Sequence, residues 1–543
     1  MENSKESNMK QTFMKSVFTI LIAQVFIKIL GFIYRFVITN IEGFGDQGNG
    51  FYSAGYQIYT LLIAISSMGI PGAISKMVSE KIAQNDYKGA HRIFKVAFIL
   101  FGIIGTTFSL VLFLGANFIG NVILDNPGVE YTIMCLAPAI LFVCLSAVIR
   151  GYFNGMQNMK ATARSQTIEQ IFNCILTIAI VVLLTGNVPE IMAAGSSIAT
   201  TLATISSFIY LMLFYRKRKK EIWKNIRENN IETENKKISV KRIVKSILML
   251  SIPISLGSII SAINRNIDSI TVIRGLKASM GYTDEIANYW YGILSGKVDM
   301  LTNLPLGFNI AFSIALIPAI SGALAKKDYK TIEKRFTFST LLTILIALPS
   351  VVGMVVLADP ILNLLFPNAP EGALLLQISA IAVIFTALSQ TFNGTLQGLG
   401  KVFVPAIALV FGGIAKLILN IVLIYNPTFN VYGAAISSVI CQLIACVISF
   451  SILKKNITFK MEVKKYFIKP VIANIIMGII AICSYNIFAN MIGMKIGTLI
   501  AIGLAIISYA IAIVLLKILD KEEFYMLPGG NNLIKILQKI KIY

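Results

Sequence analysis

An all-α, polytopic membrane protein is the fold class this sequence predicts, and three observations carry it. Of its 543 residues, 56% are hydrophobic and only 14% are charged, far from the balance of a water-soluble domain. The apolar residues fall in long runs, each near the roughly 20 residues that cross a hydrocarbon layer about 30 Å thick as a helix. The cations gather in the short segments between runs and on alternate sides, which is the pattern that orients membrane helices.

The first run, 13–39, follows a polar, basic 1–11. It is too long for a signal-peptide core and has no small-residue cleavage site, so it is expected to stay as the first span. Thirteen more follow: 52–78, 93–120, 131–154, 163–185, 191–214, 244–273, 290–320, 337–358, 372–397, 402–425, 431–453, 466–490 and 496–519. With the N-terminus cytoplasmic, about 40 of the 48 Lys and Arg lie on the cytoplasmic side. About three (Arg274, Lys277, Lys495) lie outside and about five (Lys28, Arg35, Arg265, Lys297, Lys416) within spans. The outer segments carry acids instead, such as Glu42, Asp46, Asp125, Asp284 and Glu371. Both termini are therefore expected in the cytoplasm.

The formal net charge of +22 would suit nucleic acid. The placement of the cations explains it as topology, so nucleic acid is not an expected partner. The basic segment 215–245, with Arg216-Lys217-Arg218-Lys219-Lys220, is read as a cytoplasmic linker. Six cysteines lie inside apolar runs and read as small buried hydrophobes. The single histidine, His91, sits in a basic segment and is expected to be solvated.

Three motifs repeat about 240 residues apart. Ile70-Pro71-Gly72-Ala73-Ile74-Ser75 with Asp86-Tyr87-Lys88 matches Ile317-Pro318-Ala319-Ile320-Ser321 with Asp328-Tyr329-Lys330. Phe153-Asn154-Gly155 matches Phe392-Asn393-Gly394. Ala193-Ala194-Gly195-Ser196-Ser197 matches Gly433-Ala434-Ala435-Ile436-Ser437-Ser438. A common offset predicts a parallel duplication, a transporter plan with its site at the repeat interface. The expected division is an N-terminal six-helix lobe (1–214), the linker (215–245), a C-terminal six-helix lobe (246–453), and a terminal helix pair with its tail (454–543).

Charges inside spans mark the candidate site, because a cation facing lipid costs at least ~2.5–3.5 kcal/mol on insertion scales. Lys28 and Arg35, seven residues apart, share a helix face. Lys28 is expected to face a polar cavity, whereas Arg35 either shares it or snorkels to the outer headgroups. Arg265 and Asp268, three apart, form either an internal pair or a ligand site with its counter-ion, with Asn264 beside them. Lys297 and Asp299, two apart, fall on different faces, and Asn303 and Pro305 follow, where proline opens the helix ladder. Lys416 and Asn420 form a further pair, and Glu169 is read as a structural salt-bridge partner. Span cations outnumber span acids, which suits an anionic, phosphate-bearing ligand. No phosphate loop, metal constellation or nucleophile–base arrangement appears, so neither an enzyme nor a cofactor is expected.

Lys28-Ile29-Leu30-Gly31-Phe32 with Arg35 resembles the first helix of the MviN-type lipid II flippases. Gly151-Tyr152-Phe153-Asn154-Gly155-Met156-Gln157-Asn158-Met159-Lys160 with Ser165-Gln166 and Glu169-Gln170 looks like the Gram-positive branch that includes stage V sporulation protein B. Both belong to the multidrug/oligosaccharidyl-lipid/polysaccharide exporter superfamily. The resemblance implies a two-lobed carrier that moves lipid-linked sugar across the cytoplasmic membrane by alternating access; a monomer is expected. It also implies pyrophosphate on Lys28 and Arg35, with Arg265 or Lys297 replacing the cation missing beside Asp299-Met300. The family's sodium site does not carry over, because the eleventh span has no acid; coupling to the membrane potential or to another monovalent cation stays open. A cation-coupled multidrug exporter is the competing reading.

Overall fold

The computed structural model describes residues 27–228, 239–459, 461–520 and 523. The helices are α1 (27–39), α2 (Gly45–Ser66), α3 (Ile70–Ala83), α4 (Tyr87–Phe118), α5 (Val129–Gly155), α6 (Lys160–Leu183), α7 (Pro189–Glu228), α8 (Val240–Met280) and α9 (Asp284–Gly292). They continue with α10 (Asp299–Ala325), α11 (Tyr329–Val356), α12 (Ala358–Leu365), α13 (Ala373–Gly398), α14 (Val404–Ile424), α15 (Tyr432–Asn456), α16 (Lys469–Ile492) and α17 (Met494–Leu515). No strand occurs among the described residues. Backbone groups in hydrocarbon must be satisfied within their own segment, and helices do that.

Among the described residues, twelve helices are long and apolar enough to cross a membrane. A thirteenth is α8, bent by 48° between Ile252 and Ile254, where Pro253 removes a ladder hydrogen bond. The first predicted span begins outside the described residues and ends in α1. Thirteen of the fourteen expected spans are thus met among the described residues, and the first falls partly outside them.

Two compact units are formed. Unit 1 comprises Met1–Gly296 with Ile424–Thr428, and unit 2 comprises Lys297–Leu423 with Phe429–Tyr543. Helices α8 and α9 pack in unit 1: Asn266 donates to the carbonyl of Gln57 at 2.9 Å, and Asn288 donates to that of Gln47 at 2.9 Å.

The repeated motifs cap helices and allow close helix approach in each unit, the Asp caps matching and the other contacts differing in partner. Asp86 caps α4 by accepting from the Gly89 amide at 2.6 Å, and Asp328 caps α11 by accepting from the Thr331 amide at 3.0 Å. Two hydrogen bonds from Thr331, first from its hydroxyl and then its amide, hold the Asp328 carboxyl below the usual carboxylate range. In unit 1, α5 lies so close to α3 that a Cβ on Gly155 would sit 2.8 Å from the Ser75 carbonyl oxygen. In unit 2 a Cβ on Gly394 would sit 2.6 Å from the Ser313 carbonyl oxygen. Asn154 accepts from Thr162 at 2.7 Å and Asn393 from Ser449 at 2.9 Å.

The structure adds to one sequence expectation and corrects another. The start of the basic linker is helical: α7 runs on to Glu228, and at about 1.5 Å per residue its 40 residues exceed the bilayer core twofold. His91 is buried, only 5% exposed, among Phe94, Tyr152, Tyr215 and Trp223. The α7 extension brings the last two over it, which no local pattern around His91 signals. Four of the cysteines are buried as expected, while Cys135 is half-buried and Cys483 exposed.

Candidate functional site

In unit 1 the candidate site is built on α1 and α2. Arg35 is half-buried, and its Nη1 donates to Asn49 Oδ1 and to Ser53 Oγ, both at 3.3 Å. Asn49 and Ser53 are four apart and share a face of α2. Tyr52 lies one position before Ser53, and the Arg35 guanidinium sits over its ring, 4.6 Å from the centroid. The Asn49 amide also donates to the Thr39 hydroxyl at 2.8 Å, and that hydroxyl donates to the Arg35 carbonyl at 2.8 Å. The guanidinium is therefore held against α2 from three sides.

The polar track continues into the unit. Tyr52 Oη and Thr200 Oγ1 on α7 are 3.5 Å apart, and Thr200 donates to Asn173 Oδ1 on α6 at 3.2 Å. Tyr52 and Tyr56 stack at 5.4 Å, and Tyr59 follows at 5.6 Å from Tyr56. Sequence reasoning passed over this tyrosine stack. The signal was present, since tyrosines at 52, 56 and 59 mark one helical face.

The remaining predicted residues divide by environment. Lys28 is exposed on α1, and Arg265 is exposed on α8 beside half-buried Asn264 and Asp268. Asp299 and Asn303 are exposed on α10 in unit 2, and Asn303 donates back to the Asp299 carbonyl at 2.6 Å. Helix α10 runs unbroken through Pro305, so the expected opening of its ladder does not end the helix. Lys416 is buried on α14, four residues from buried Asn420.

Lys297 departs most from its predicted role as a ligand-binding cation. It is fully enclosed, and its ammonium donates to the carbonyls of Ala369 at 2.7 Å and Glu371 at 2.9 Å. The Phe366 ring lies 5.8 Å away. A π-helical turn, Ile293–Val298, carries it there, and an inserted residue of this kind rotates the side chain off the face that α-helical counting assigns. A lysine so engaged ties two segments of unit 2 together.

Glu169 has the expected structural role. Its carboxylate meets Arg150 at 2.7 Å, and Arg150 also donates to Ser165 at 2.9 Å and Ser207 at 2.8 Å. This network joins α5, α6 and α7.

The polysaccharide biosynthesis protein family matches residues 13–324, and MatE matches 296–425. Stage V sporulation protein B of Bacillus subtilis (strain 168) is 25% identical over 527 residues, covering 97% of this chain and 99% of that protein. Lipid II flippase MurJ of the same organism is 26% identical over 490 residues, covering 87% and 88%. Among solved structures, lipid II flippase MurJ in an inward closed conformation superposes with TM-score 0.66 at 17% identity, over 91% of this chain and 97% of that one. An inward-facing MATE multidrug transporter of the MOP superfamily gives 0.64 at 16% identity, over 80% and 98%. The chain belongs to the polysaccharide biosynthesis protein family, on the all-helical membrane fold shared by flippases and exporters of that superfamily.

Proposed function

We propose that this protein is a flippase for an undecaprenyl-pyrophosphate-linked cell-wall precursor, lipid II in the first instance, which it carries across the cytoplasmic membrane by alternating access. The observation that carries this reading is Arg35, a span cation whose guanidinium donates to Asn49 and Ser53 at 3.3 Å and sits over the Tyr52 ring. Lys28 lies two helical turns from Arg35 on the same side of α1. A diphosphate is the membrane ligand that such a set suits: charge-assisted hydrogen bonds are roughly twice as strong as neutral ones, and an Arg fork holds two oxygens at once. The name of one relative, a lipid II flippase, supports a lipid-linked substrate.

In this reading Lys28, Arg35 and Arg265 hold the diphosphate, and Asn49, Ser53 and Tyr52 orient Arg35. Asn264 and Asp268 tune the charge beside Arg265, while Asp299, Asn303 and Lys416 contribute polar or counter-ion groups. Lys297 is left out, because its donors are turned to backbone carbonyls. The protein works as a monomer without a cofactor, coupled to the membrane potential or to a monovalent cation. Another lipid-linked oligosaccharide is the nearest alternative, and the family's own description favours it equally.

The test is outward accessibility of lipid II in cells that depend on this protein. Lys28→Ala and Lys28→Gln are expected to abolish flipping with normal membrane insertion, and Lys28→Arg to keep much of it. Arg35→Ala and Arg265→Ala are expected to behave as Lys28→Ala does. A Lys28→Met protein that is stable and active would overturn the cationic site.

A further inference from the structure

A second site lies away from these residues, on the outer face of α4. Lys95, Ile99, Gly102 and Thr106 follow one another at helical spacing and form one stripe. Beside that stripe, Leu141 and Leu145 of α5 close a trough of about 500 Å³. Gly102 keeps it open: a Cβ there would touch only Leu145, at 3.7 Å. The hydroxyls of Thr106 and Thr107 turn back to the carbonyls of Gly102 and Ile103 at 2.8 and 2.9 Å, so no hydroxyl donor points into the trough and its lining is mainly apolar. From Lys95 to Thr107 the helix rises about 18 Å, close to the depth of one leaflet of a ~30 Å core.

The foot of the trough is cationic. The Lys95 ammonium lies 5.8 Å from the Trp223 ring on the α7 extension, and exposed Lys219 stands one helical turn before Trp223 on the same helix face. Arg218 is paired with Glu221 at 2.5 Å and Lys224 with Glu228 at 3.6 Å. Among the described residues, no ion pair engages Lys95 or Lys219. An indole at the membrane edge is the usual partner of lipid headgroups.

We propose that this is a binding site for an anionic phospholipid: its phosphate on Lys95 and Lys219 beside Trp223, one acyl chain along the α4–α5 trough. The charge selects an anionic headgroup. The one-leaflet length of the trough selects an acyl chain over a polyprenyl tail, which is far longer. By seating the headgroup, the lipid fastens the α7 extension over His91.

The experiment uses the purified full-length protein in neutral detergent, with phosphatidylglycerol, phosphatidylcholine, inorganic phosphate and undecaprenyl phosphate as probes. Retained lipid is read by native mass spectrometry, and stability by thermal melting. Phosphatidylglycerol is expected to be retained and to raise the melting temperature, and phosphatidylcholine to do neither. Lys95→Gln and Lys219→Gln are each expected to weaken retention about fivefold, the value of one lysine near an anionic lipid. Gly102→Leu, which fills the trough where space exists, is expected to weaken it with both lysines in place. Four results would each overturn the proposal: equal retention of phosphatidylcholine, Gly102→Leu binding like the parent, inorganic phosphate stabilising as well as the lipid, or undecaprenyl phosphate displacing it at lower concentration. Flipping by Lys28 variants is a separate readout, so failure here leaves the proposed function standing.

Discussion

At the scale of single residues, intramembrane cations do different work according to what their donors meet. Arg35 is held by side chains that a ligand could share, whereas Lys297 is held by backbone. Removing the Lys297 ammonium leaves the Ala369 and Glu371 carbonyls without their donor, a penalty of about 1–3 kcal/mol for a buried group. Lys297→Met, which keeps the bulk, is therefore expected to lower the melting temperature in detergent while transport per folded molecule persists. Unchanged melting with lost transport would return Lys297 to the ligand site. Arg150 and Glu169 follow the same logic, since either alone would be a half-buried charge without its partner.

At the scale of elements, the terminal pair α16 and α17 is tied to α11 rather than standing apart in lipid. Leu341, Ile344 and Leu345 of α11 share a buried cluster with Ala473, Met477, Ala501 and Tyr509. The Tyr509 hydroxyl donates to the Leu345 carbonyl at 3.0 Å. Lys465 closes the base of the pair, with Asp520 at 2.5 Å and Glu523 at 2.9 Å. The exposed surface of the pair, including Ile475, Ile479 and Ile506, is mainly apolar, with polar Asn486, Asn490 and Lys495 gathered near one end. We expect that face to hold the polyprenyl tail. Deleting 466–543 should stop transport of the lipid-linked substrate while the remaining spans still insert, because lipid can replace apolar cover but cannot position a tail. Transport that survives the deletion would show the tail is carried elsewhere.

At the scale of the whole molecule, orientation is the property that charge placement governs. Cysteines placed singly at Asp125, whose side chain is 41% exposed, and at exposed Glu371 should react with a membrane-impermeant reagent in intact cells. A cysteine at exposed Lys219 should react only after the membrane is opened. Asp46, also on the outer side, is 3% exposed and makes a poor reporter. The background must lack Cys483, which is exposed. Labelling at Lys219 in intact cells would reverse the orientation, and with it the leaflet of the phospholipid site.

The spans, their helical class and the repeated contacts were legible in the sequence, because hydrocarbon imposes a length and a composition on any segment that crosses it. Asp86 and Asp328 could be read as matching positions before either was seen to cap a helix. The span cations were legible too, since charge in an apolar run stands out whatever surrounds it. Their roles were not. The π-helical turn that sends Lys297 to two carbonyls, the α7 extension that covers His91, and the polar track from Tyr52 to Thr200 and Asn173 each join segments distant in sequence. What a side chain touches depends on the rotation and packing of helices against one another, and a one-dimensional pattern of apolar and charged residues carries no record of that.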